Sequence, residues 1–318
     1  MSWYARLENS FKMISRVLIP ERLAPQASGA KLKAARATFV GPQERAPFGA
    51  LTSMNSMTPN HPNQLNRVLS RWEPLLSSPL WYLTIIPELQ ALTQSQADEP
   101  ADIQDAFKAV LYDFFERHLV EGDIFIGREL PDADRGRMPI DMVVIHHTGN
   151  PPGLRSTRLS AIELIRLYGP YFAGSKSKNA TGLRGRPIAS GHVRNGNQVF
   201  WPYHWIVRGD GRAEQLLYDS EIGWHAGNWD INCRSVGVVL DGDYQQNPPS
   251  NVELQGIAAL IKSHYAHVPL ARVVGHREVN PKTVCPSDLF LDNTHGRGWK
   301  ENLLELMCEG KTAWRPAA

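Results

Sequence analysis

The stretch GHREVNPKTVCPS, residues 275–287, decides how the rest of this chain is read. His276 closes the apolar run ARVV, and Cys285 stands nine residues on, followed by Pro286. An imidazole nitrogen and a thiolate sulfur are ligands that zinc prefers, and a turn can bring such a pair onto one metal. A third candidate ends another apolar run, MVVIHHTG, where His146 and His147 stand side by side. Neighbouring residues on a strand point to opposite faces, so only one of the two can reach a shared metal. Three protein ligands plus water is the open, catalytic form of zinc coordination, whereas four protein ligands make a structural site.

Outward from these two runs, the chain reads as strands alternating with helices. PIDMVVIHH and SVGVVLDGD have the length and apolarity of buried strands, ARVVG leads into the metal stretch, and DIFIGREL is read as a first strand. Asn195-Gly196 and Asp210-Gly211 are hairpin turns. RLSAIELIRLYG reads as a helix with Ser160 as its cap and Gly169 as its stop, and Ser250 with Glu253 forms a capping box for NVELQGIAALIKSHY. WKENLLELM is a closing helix. The expected fold class is α/β, a central mixed sheet flanked by helices. It spans residues 123–318 and is preceded by a helical and irregular module over 1–122. In that module ADIQDAFKAVLYDFFERHLV is the clearest helix, with Ile103, Phe107, Val110, Leu111, Phe114 and Leu119 on one face and His118 as a packing residue. Residues 20–66, with Lys31, Lys33 and Arg36, read as a linker. The Lys- and Arg-bearing loop 176–186 is too rich in glycine for an ordinary connection.

The 318 residues are 42% hydrophobic and 21% charged with a net charge of +2, a globular composition with no field that argues for nucleic acid. The three cysteines, Cys233, Cys285 and Cys308, are too few for a disulfide framework. No run approaches the roughly 18 apolar residues of a membrane span. Within MSWYARLENSFKMISRVLIP, Arg6, Glu8, Lys12 and Arg16 interrupt any signal-peptide core, while Trp3, Leu7, Phe11, Ile14 and Leu18 form a helical stripe expected to dock on the chain's own core, with a membrane-surface helix as the alternative. A cytoplasmic protein is expected, reaching a cell wall by lysis or non-classical export.

Five segments in order, VVIHHT (143–148), YHWIVRGDG (203–211), GWHAGN (223–228), NCRSVGVVLDGD (232–243) and GHREVNPKTVCPS, carry a resemblance. The sequence resembles the type 2 N-acetylmuramoyl-L-alanine amidases, whose superfamily also holds the phage lysozyme-type amidases and the peptidoglycan recognition proteins. The resemblance spans about half of the chain. It implies zinc held by His146, His276 and Cys285, and hydrolysis of the amide between the lactyl group of N-acetylmuramic acid and L-alanine in peptidoglycan or muropeptides. Within the histidine pair the family pattern selects His146.

The resemblance also assigns Tyr203 as the catalytic tyrosine. Lys282 matches the lysine that precedes the cysteine ligand in phage enzymes. The spacing here is one residue longer, which puts Thr283 two before the cysteine, as in recognition proteins that hydrolyse; either residue can face the site. His225 and Asn232 match positions lining the substrate groove. Trp224 is a stacking candidate and Arg194 a partner for peptide carboxylates. The rival expectation is a peptidoglycan-binding module without catalysis. Loss of the cysteine ligand marks such binders, and Cys285 is present.

Overall fold

The computed structural model describes residues 62–130, 133–174, 183–291 and 298–309. The expectations for the N-terminal stripe, for the linker up to residue 61 and for Lys176 and Lys178 lie outside the described residues.

A five-stranded sheet organises the C-terminal part. Its strands are β1 (Met142–His147), β4 (Trp205–Val207), β5 (Ala213–Gln215), β6 (Ser235–Leu240) and β7 (Val273–Gly275), in the spatial order β5-β4-β6-β1-β7. β1 runs parallel to β6 and β7, β4 parallel to β6, and β4 antiparallel to β5, so the sheet is mixed as expected. β1 and β6 are central, and their near-continuous burial explains why both read as unbroken apolar runs. The short hairpin β2 (Val193–Arg194) and β3 (Asn197–Gln198) stands apart, turning through Asn195 and Gly196, both at positive φ.

Helices cover both faces. On one, α7 (Asn251–His264), which carries the expected Ser250/Glu253 capping box, and α9 (Trp299–Cys308) pack on Val143, Ile145, Val236 and Val238. On the other lie α4 (Ser156–Glu163) and α5 (Gly169–Ala173), with a π-helical turn, Leu164–Tyr168, between them. Here the structure corrects the sequence reading. Ser160 lies inside α4, where its Oγ accepts the Phe200 N–H, and the chain continues through Gly169 to Gly174. Pro170 supplies no N–H for the carbonyl four residues back, and the wider π turn accommodates that loss. DIFIGREL is not a strand. The backbone bends at Ile124 and Arg128, and its N–H groups go to isolated partners, Phe125 to the Leu76 carbonyl and Gly127 to the Ile188 carbonyl.

Among the described residues, three α-helices precede the sheet: α1 (Pro62–Trp72), α2 (Tyr82–Ser95) and α3 (Ala101–Glu121). The face of α3 that is buried carries Leu111, Phe114, Phe115 and His118, whereas Ile103 and Val110 are exposed. Trp72, Trp81 and Phe115 of these helices share one cluster with Ile162, Tyr168 and Phe200, so a single core runs across the expected boundary at 122/123. Across the same line, Arg155, Thr157 and Arg158 all donate to the Glu116 carboxylate, fastening α3 to α4.

Candidate metal centre

β1 and β7 are adjacent and parallel, so their C-terminal ends emerge side by side. That register sets His146, near the end of β1, beside His276, the first residue after β7, with ring centroids 4.6 Å apart. The turn 280–287 then folds Cys285 back onto them. Its Sγ is 3.7 Å from His146 Nδ1, and the Cys285 N–H donates to Thr283 Oγ1. The ligand atoms of His146, His276 and Cys285 all lie within 4.8 Å of one another.

Hydrogen bonds fix which nitrogen of each ring is free. The Ser235 hydroxyl donates to the Ile231 carbonyl at 2.6 Å, so it accepts from His225 Nε2–H at 3.2 Å. His225 Nδ1 is then an acceptor and takes the His146 Nε2–H at 3.1 Å. His146 is left with a lone pair on Nδ1, the nitrogen that faces Cys285. His276 is hydrogen-bonded to the Ala226 carbonyl, and its Nε2 is buried with no partner. That bond therefore uses Nδ1–H and leaves an Nε2 lone pair without a donor. A buried lone pair left over in this way is costly, and a cation satisfies it.

The electrostatics agree with a cation site. Burial, with the neighbouring imidazoles, holds His146 well below the usual histidine range, and burial brings His276 down to about 4. Both rings are thus neutral donors. Burial pushes the Cys285 thiol up to about 12, so without a cation the sulfur keeps its proton. Two neutral imidazoles and one thiolate are a donor set suited to zinc.

The other expected residues fall in different places. Tyr203 is half-buried, its ring 5.0 Å from that of His146, and burial raises its phenol well above the ordinary tyrosine value. Thr283 is half-buried beside Cys285, while Lys282 is exposed on the turn. His225 is only 4% exposed and stands behind His146, not on a groove wall. A side chain at Gly237 would meet its ring at 2.8 Å, so the close approach of β6 requires glycine there. Asn232 is also buried and accepts the Ala226 N–H, which holds the carbonyl that orients His276. Trp224 is half-buried and stacks on Tyr168 at 4.7 Å. Arg194 is committed to the Glu221 carboxylate and the face of Tyr218. His147 points to the other face of β1, towards Asp243, as strand alternation requires.

Sequence reasoning did not find the relay through His225 and Ser235. The signal for it was a histidine and a serine on segments already quoted, and nothing local tells a buried orienting residue from a groove residue. A second group, His118, Glu121 and Asp123, also brings possible ligand atoms within 4.8 Å. There His118 Nδ1 is bonded to Asp123, and the Arg117 guanidinium sits 3.0 Å from Nε2, which places a cation where a metal would need a lone pair.

Fold and site define a class: a mixed α/β domain in which two histidines and a cysteine that could hold a metal ion meet at the C-terminal ends of two parallel strands. Residues 136–288, a little under half of the chain, match the N-acetylmuramoyl-L-alanine amidase family. The chain is 36% identical over 90 residues to the endolysin of Enterobacteria phage K11, a match covering 27% of this chain and 58% of that one. It therefore spans little more than half the length of that relative. It is 21% identical over 174 residues to 1,6-anhydro-N-acetylmuramyl-L-alanine amidase AmpD of Haemophilus influenzae, covering 52% of this chain and 95% of AmpD. Among solved structures it is similar to the N-acetylmuramoyl-L-alanine amidase LysC from Clostridium intestinale, at 17% identity, 57% and 94% coverage and a TM-score of 0.37.

Proposed function

We propose that this chain is a zinc-dependent amidase that hydrolyses the amide between the lactyl group of N-acetylmuramic acid and L-alanine in peptidoglycan or muropeptides. The observation that carries the reading is the convergence, within 4.8 Å, of the His146 Nδ1 lone pair, a buried and unpartnered His276 Nε2 and Cys285 Sγ. His146, His276 and Cys285 would hold the zinc. When bound, it polarises the amide carbonyl and lowers the pKa of a water towards 7.

The chain's own residues do the rest. His225 and the Ala226 carbonyl keep each histidine in the tautomer whose lone pair faces the metal. Tyr203, held as a neutral phenol, donates its O–H to the oxygen on which charge develops. Thr283 holds the Cys285 backbone through its Oγ1, which makes it a positioning residue for the sulfur. Lys282, exposed on the same turn, supplies a cation at the rim for the oxyanion. Release of free stem peptide with an L-alanine amino terminus from a purified muropeptide, read by mass spectrometry, tests the proposal; binding without release contradicts it.

A further inference from the structure

The helix α3 has two apolar faces, and only one is covered. Its buried face joins the core through Leu111 and Phe115. Ile103, Val110 and Val120 share the other side of the helix and look outward, 42%, 41% and 62% exposed, while Phe114 is buried between the two sides. With Leu69 of α1, Val110, Phe114 and Val120 line a groove of about 680 Å³, and Asp113 and Glu121 stand on its rim. The basic residues there are already engaged, Arg117 by Glu73 and Arg155 by Glu116.

We propose that this groove is a docking site for residues 3–18 of the same chain. That segment carries Trp3, Leu7, Phe11, Ile14 and Leu18 at helical spacing. As a helix it would be about 24 Å long, enough to cover the roughly 17 Å of α3 between Val110 and Glu121 that lines the groove. It bears Arg6, Lys12 and Arg16 against one acid, Glu8, and so complements Glu121 on the rim, Asp113 there being already paired with Arg158. The chain enters the described fold at Pro62, two turns of α1 before Leu69, so the segment is tethered beside the groove wall. Tethering gives it a local concentration of order millimolar, which favours it over a free partner of equal affinity. Docking would bury an apolar stripe on each side.

The test replaces Phe11 with the photo-crosslinker p-benzoyl-phenylalanine in the full chain and maps the products by mass spectrometry. Expected are crosslinks within one chain to residues 65–73 and 110–121, lost when Val110→Asp and Val120→Asp are combined. Bound zinc should be that of the parent, because both valines lie on α3 outside the metal centre, and the far-ultraviolet circular dichroism should be that of a folded chain. If the double variant does not fold, Val120→Lys alone serves, and it should cut the crosslink yield severalfold. Crosslinks between two chains, crosslinks confined to other regions, no crosslink, or a yield indifferent to the groove substitutions would each overturn the assignment.

Discussion

His146 Nε2 donates to His225 Nδ1 across 3.1 Å, and this bond, more than the ligand itself, decides which nitrogen of His146 can meet a metal. The direction is set two bonds away, where the Ser235 hydroxyl donates to the Ile231 carbonyl. Orienting partners of this kind typically account for ten- to a hundredfold in metal affinity. His225→Ala should weaken zinc binding by about that factor in a chelator competition while leaving the fold intact by circular dichroism. An unchanged affinity would remove His225 from the centre.

Tyr203→Phe keeps the ring that packs near His146 and removes only the hydroxyl. Loss of one oxyanion donor costs about 10²–10³ in kcat. A fall of that size is expected, with KM and zinc content unchanged. A change in KM alone would make Tyr203 a binding residue.

His204 gives a pH dependence whose sign can be worked out. Its Nδ1 accepts the Gly237 N–H and its Nε2 bonds to the Glu221 carbonyl, so the ring is buried and neutral. Burial brings its pKa down from 6.5 to about 3. Between these values the unfolded chain binds a proton that the folded chain does not. The contribution is therefore complete above pH 6.5 and falls by about 1.4 kcal/mol per unit as the pH drops towards 3. Urea unfolding from pH 7 to 5 should show this slope, reduced in His204→Gln. Equal slopes would mean that the ring is protonated in the fold.

Glu116 ties the N-terminal helices to the sheet domain. Burial pushes its carboxyl up, but hydrogen bonds from Arg155, Thr157 and Arg158 outweigh this and bring it down to about 2. Arg155 is 67% exposed and Arg158 keeps a second carboxylate, Asp113, so loss of Glu116 strands no buried charge and costs about 1–3 kcal/mol, as for hydrogen bonds to charged groups. Glu116→Ala should lower the unfolding free energy by that order. A fragment starting at Asp123 should be poorly soluble, because Ile162, Tyr168 and Phe200 lose Trp72, Trp81 and Phe115. A soluble, zinc-loaded fragment would restore a separable module.

The sheet was legible because β1 and β6 are buried on both faces and read as apolar runs, and because Asn195-Gly196 and Asp210-Gly211 are turn chemistry that few other conformations use. The three candidate ligands were legible from residue type and order. The outward face of α3 was not, since Ile103 and Val110 have the same period as the buried positions. Nor was the π turn before Pro170, which depends on the continuation of α4 past Gly169. The placement of His225 behind His146 is a tertiary fact, set by the bare backbone of Gly237 on the next strand.

Muropeptide cleavage with the full chain in four samples decides whether zinc at Cys285 performs the hydrolysis: as purified, chelated, chelated and refilled with one equivalent of zinc, and Cys285→Ala. Free stem peptide is expected from the first and third alone. Cleavage that persists in the chelated sample or in Cys285→Ala would contradict it, as would zinc-loaded protein that binds the muropeptide and leaves the amide intact.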